Sequence, residues 1–325
     1  MKKYIFTLII LILATGCSTK TPYLLQDSDS AIFVAVVNKG QILVIDPIHF
    51  QKIAEITTDA PVQHLLLSPD QKILYASGKE MNQLFLFDAH TGKLIGKYPI
   101  GGGIIAQTIS KDGQYLYFGT QEGSIYQWDA YDLQITRKME IGQEPATLQI
   151  SENGQFLYVG LLEEGKVKEI DLKQWVVTRD FKSPKRTMGI GLNLESRRLW
   201  VGGHGDAEAP NDKIYEINLD QGTYHLLQTG LMPIKIEFDE KTKKLYVLSH
   251  GSNQLSIFSL NGKEKDKKTV YVGNNPFDFT IANGYIYVSN YDSRSLTIFG
   301  EESLLKVKEI DIGGHPLSIV YMGGE

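Results

Sequence analysis

One cysteine stands in 325 residues. That excludes an internal disulfide and any metal site built on paired thiolates. No Cys-x-x-Cys-His sequence is present to attach haem covalently. There is no Gly-x-Ser-x-Gly elbow, no His-Glu-x-x-His helix and no phosphate-binding P-loop. Ser303-Leu304-Leu305-Lys306 matches Ser-x-x-Lys by letters alone, because it falls at the start of a strand rather than opening a helix. Clustered basic charge is missing too, with 33 Lys and Arg against 38 Asp and Glu. Such a balance does not offer the cationic surface that nucleic acid needs.

What the chain does have is a repeat. Phe33, Tyr75, Tyr117, Tyr158, Trp200, Tyr246 and Tyr287 recur roughly 42 residues apart, a period that marks a propeller or solenoid array. Each aromatic sits in a short apolar run bounded by turn residues, the pattern of a buried strand. Turn signals precede most of them: Ser68-Pro69-Asp70, Asp112-Gly113, Asn153-Gly154 and Asn283-Gly284. Upstream lies another strand, often led by a proline, as at Pro61, Pro145, Pro233, Pro276 and Pro316. Downstream, a third strand closes in the first five repeats on Asp46, Asp88, Asp129, Asp171 or Asn218, residues suited to an Asx turn. A fourth strand follows.

Four strands per repeat is the content of a propeller blade. The first repeat lacks its proline-led strand, and the chain ends on that strand alone, from Pro316 to Tyr321. The arrangement predicts an all-β, seven-bladed β-propeller over residues 31–325, closed by the C-terminal strand completing blade 1. The proline-led strand, the Pro-Asp or Asp-Gly turn, the Leu-Tyr-Val strand and the Asp-ended strand together resemble the YVTN-type β-propeller repeat family. The resemblance covers roughly residues 31–321 and implies the fold, since such propellers include binding, scaffolding and catalytic members.

The N-terminus carries a separate signal. Lys2 and Lys3 precede an apolar run from Tyr4 to Leu13, and then Ala14-Thr15-Gly16-Cys17. The run is too short to span a membrane and reads as a secretory signal peptide over residues 1–16. Leu13-Ala14-Thr15-Gly16-Cys17 resembles the bacterial lipobox, with Ala14 where Leu is commoner. That resemblance implies lipidation of Cys17, cleavage before it, and residues 17–30 as a lipidated polar tether. Ser18, not Asp, follows the cysteine and favours outer-membrane delivery in a two-membrane cell. The expected location is the cell envelope, on the outer side of the cytoplasmic membrane or in the outer membrane.

Chemistry, if present, belongs to the face of the disc. His204 and His250 stand four residues beyond the repeat aromatic in consecutive blades, and Asn290 with Tyr291 holds that place in the last blade. Arg186, Lys235, Asn275, Asp278 and His315 enter the innermost strands. These residues, with Asp206, form the expected ligand-binding funnel. An insert at 202–212 gathers His204, Asp206, Glu208, Asn211 and Asp212 beside glycines. Long loops on a rigid scaffold are where function concentrates. Its spacing does not match a calcium loop, so no metal and no cofactor are expected.

The expectation is a monomeric, membrane-anchored lipoprotein acting as a binding module for a protein or small-molecule ligand, without nucleic acid and without catalytic residues. An enzyme reading stays open: some propellers of similar repeat are lactonases, and His204 or His250 with Arg186 could supply a base and an oxyanion-stabilising cation. A redox relative of haem-domain propellers is the third reading.

Overall fold

A computed structural model describes residues 23–26, 29–260 and 266–323. Cys17 and the signal segment lie outside the described residues. Seven four-stranded antiparallel sheets follow one another along the chain. In blades 2 to 7 the strands run in sequence order from the inside outward, starting with His64–Leu67, Ile104–Ile109, Pro145–Ile150, Thr187–Asn193, Pro233–Asp239 and Pro276–Ala282. Blade 1 takes its innermost strand, Pro316–Met322, from the C-terminus and pairs it with Ala31–Val36. The chain is therefore a seven-bladed β-propeller whose first blade joins both ends of the chain.

The repeat aromatic has a specific task. Phe33, Tyr75, Tyr117, Tyr158, Trp200, Tyr246 and Tyr287 are all buried. Each leaves the second strand of its blade and packs on the second strand of the next. Phe33 meets Leu74 and Ala76, and Tyr158 meets Leu199 and Val201. Trp200 meets Leu245 and Val247, and Tyr287 meets Ile32 and Val34 across the closure. The interval is uniform because every blade needs one large ring to fill the same wedge. Large aromatics bury the most apolar area per side chain there.

Local chemistry sets the turns. Asp46, Asp88, Asp129, Asp171 and Asn218 each accept backbone N–H bonds from residues two or three further on, the expected Asx turns. In blades 2 to 4 a serine hydroxyl bonds the turn residue: Ser68 to Asp70, Ser110 to Asp112 and Ser151 to Asn153. Only Asn283-Gly284, of the paired turn signals, places both residues in the left-handed region. At 112–113 and 153–154 the glycine alone does so. Gly189 and Gly191 serve a close approach instead, since a Cβ on Gly191 would stand 2.7 Å from Ile236 Cγ2 and one on Gly189 2.9 Å from the Ile234 backbone.

Part of the expected tether belongs to the body. The Tyr23 hydroxyl donates to Ala89 O (3.0 Å), and Leu25 N to His90 O (2.9 Å). Leu25 joins the core shared by blades 1 and 2.

Candidate functional site

Every innermost strand starts on one rim, and the loop between second and third strands returns to it. A recurring hydrogen bond joins the two. His204 N donates to Arg186 O (3.1 Å), His250 N to Met232 O (3.2 Å), Tyr291 N to Asn275 O (3.0 Å) and Val37 N to His315 O (3.1 Å). Arg186, Met232 and Asn275 adopt positive φ to present those carbonyls. Because the clasp repeats, side chains at one position of successive blades form a row.

In blades 5 to 7 and 1 that row becomes a continuous arc of rings. His204 stacks on His250 with centroids 4.6 Å apart and planes 22° from parallel. His250 meets Phe277 edge-on at 5.7 Å, and Phe277 meets Tyr291 at 5.5 Å. Tyr291 lies 4.4 Å from His315, whose Nδ1 is 2.9 Å from Tyr291 O. All five rings are half-buried. Burial, with His250 and Arg186 nearby, lowers the His204 pKa to about 4. Burial lowers His250 as well, against an opposing hydrogen bond to the Asn275 side chain. Both rings are thus neutral at neutral pH, which permits the stack. Among the described residues His204 Nε2 and His250 Nδ1 have no hydrogen-bond partner. Both nitrogens are shielded from solvent, and a buried polar atom left without a partner costs stability.

Below the arc the axis is a channel of about 480 Å³. His64, Lys235 and Asp278 share one level of it, each two residues past the aromatic in register, opposite Ser77, Leu248 and Ser289. Glu237 lies one layer deeper, opposite Tyr246. Lys235 Nζ is 3.0 Å from Asp278 Oδ1, and Asp278 Oδ2 accepts from Ile319 N at 3.1 Å. One carboxylate thereby ties blades 6, 7 and 1. The Asp278 charge raises the Lys235 pKa despite burial. Burial raises Glu237 and lowers His64 to about 4. Protein surrounds Lys235, yet 40% of its side chain faces the channel.

The other expected site residues are placed differently. Asp206 points outward and pairs with Lys185 at 2.9 Å, both exposed. The 202–212 insert folds as a hairpin, Gly205–Asp206 against Ala209–Pro210. Asn211 fastens it through Gly203 O and Lys213 O. Among the described residues no group of three His, Cys, Asp or Glu could hold a metal. Asn290 is fully buried and bonds Ser295 and Thr297 inside blade 7, so it does not reach the funnel. Lys235 and Asp278 lie within the channel rather than at its entrance. Phe277, His64 and Glu237 were not expected. Phe277 follows the proline of a proline-led strand, as Ile234 does, and that alignment could have shown it. His64 sits three residues after Pro61, whereas Lys235 sits two after Pro233, so alignment on prolines misplaces it.

No family model and no curated protein matches the chain. Solved structures do. A functionally unknown protein from Desulfotomaculum acetoxidans DSM 771 superposes with a TM-score of 0.77 at 14% identity, over 92% of this chain and 100% of its own. Hydrazine synthase from Kuenenia stuttgartiensis superposes with a TM-score of 0.66 at 16% identity, over 81% of this chain and 87% of its own. At such identities the likeness is one of fold.

Proposed function

We propose that the protein is a membrane-anchored extracytoplasmic lipoprotein whose propeller binds a ligand on the rim carrying the ring arc and at the mouth of the channel beneath it. One observation carries the binding reading: four consecutive blades bring five half-buried rings into one row on a single rim. Aromatic faces give the apolar contact area that makes up most of a binding site's lining. The Leu-Ala-Thr-Gly-Cys sequence supports the anchor, and acyl chains on Cys17 would hold the domain at a membrane.

Native mass spectrometry of the detergent-extracted protein tests the binding reading. The parent is expected to retain a ligand or partner that the H204A/H250A/Y291A variant loses while its melting is little changed, because half-exposed rim side chains contribute little to packing. Equal complexes in parent and variant would count against this rim. Cys17→Ser is expected to leave the protein in the aqueous phase of a detergent partition. Unchanged partitioning of that variant would refute the anchor.

A further inference from the structure

The opposite rim carries the loops between third and fourth strands, and exposed apolar side chains gather on one half of it. Among the described residues Leu24, Ile48, Tyr131 and Leu305 are 69%, 67%, 75% and 70% exposed. Ile48, Tyr131 and Leu305 occupy that loop in blades 1, 3 and 7. Leu24 lies over it in blade 2, held by the bonds of Tyr23 and Leu25 to Ala89 and His90. Blades 7, 1, 2 and 3 are consecutive around the ring. The blade 1 loop is fixed to blade 7, since the Tyr287 hydroxyl donates to Pro47 O (2.8 Å) and Phe50 meets the Tyr285 ring edge at 4.9 Å. Outer strands do not distinguish the halves, since exposed Ile53, Leu94, Ile95 and Val307 on these blades are matched by Val176, Val177 and Leu226 on blades 4 and 5; the loop tips do. Blades 4 and 5 carry Lys173-Gln174 and Asp220-Gln221 at the corresponding tips.

We propose that this apolar arc rests in the lipid surface, so that the disc stands on the edge formed by blades 7, 1, 2 and 3 and turns the ring arc away from the membrane. The inference rests on the lipid anchor at Cys17 proposed above. Tyr23 stands six positions after Cys17, a reach of about 20 Å at 3.3–3.6 Å per residue. The chain joins the propeller at Tyr23, in the middle of the apolar arc. A lipidated Cys17 therefore brings this half of this rim to the bilayer and keeps the ring arc from it. Acidic Asp132, Glu301 and Glu302 share the same loops, so contact comes from apolar insertion rather than attraction to anionic lipid. Single exposed apolar residues need no explanation, whereas one at the same rim in each of four consecutive blades, beside the point where the chain enters, does.

The test uses the full lipidated chain in phosphatidylcholine vesicles, with and without a doxyl quencher on the acyl chains. Ile48→Cys, Tyr131→Cys and Leu305→Cys carry a bimane label, and Tyr271→Cys, exposed on the ring-arc rim, is the control. The first three labels are expected to shift to the blue and lose roughly half their emission to the quencher, a contact read directly as lipid exposure. The Tyr271 position is expected to show neither change. Acylation is read separately, from the mass of the N-terminal peptide. An acylated N-terminus with no difference between the two rims overturns the docking and leaves the anchor standing. A bare N-terminus overturns both.

Discussion

His64 and His204 are neutral rings inside a protein that gives their charged forms little solvation. Burial lowers each to about 4 from an ordinary 6.5. Between those values the unfolded chain binds protons that the folded chain does not, so stability falls as pH falls through the window. Asp70 and Asp112 act lower on the scale. The Ser68 and Ser110 hydroxyls hold their carboxyls below the usual range. Their contribution is complete above the unfolded carboxylate pKa and is lost as pH falls through the folded one. Melting temperature followed from pH 7 to pH 4 is expected to drop in the parent and to drop less in His64→Gln. Parallel curves would show that His64 does not carry the effect. Only as pH falls to about 4 does the folded His204 ring take its proton, and the charge then faces His250 with ring centroids 4.6 Å apart, so ligand binding is expected to weaken at that lower edge. At this scale the sequence was readable for residues whose position relative to the aromatic is fixed, such as His204, His250 and Tyr291. It was misleading for Asn290, whose one-residue offset turns it into the sheet, and it was silent on His64, displaced by one extra residue after Pro61.

At the scale of strands and blades, most of the architecture was legible. The aromatic repeats because it fills an identical wedge seven times, and the orphan strand at the C-terminus has one place to pair. Removing residues 316–325 takes away the innermost strand of blade 1 and leaves Ala31–Val36 with an open edge. The loss is expected to be several kcal/mol, against a total of about 5–15 kcal/mol for a domain. Chemical denaturation of the truncated chain measures it, and an unchanged midpoint would show that the ring closes without this strand. Blade contacts that depend on an absent side chain were not legible. Gly191 reads as an ordinary strand glycine until Ile236 is seen against it. Gly191→Ala is expected to cost about 1–3 kcal/mol through overpacking between blades 5 and 6. Equal stability in urea would mean that Ile236 moves freely aside. The 202–212 insert was legible as long and polar, but its hairpin comes from Asn211 bonds that no spacing announces.

The whole molecule separates its two rims by chemistry. One has a row of rings above a channel with a Lys235–Asp278 pair. The other has apolar loop tips near the point where the chain leaves toward Cys17. With the proposed anchor in place, the ring-arc rim would face away from the bilayer, toward ligands in the surroundings. The most direct measurement is photocrosslinking in intact cells, with benzoylphenylalanine placed singly at Phe277, Tyr291, Lys111 or Glu152. Phe277 and Tyr291 stand in the ring arc, while Lys111 and Glu152 stand in turns of the opposite rim, Glu152 at the end of the channel away from the arc. The account predicts covalent products with a molecule other than lipid from positions 277 and 291, and none from 111 and 152. Products from positions 111 and 152 alone would contradict it.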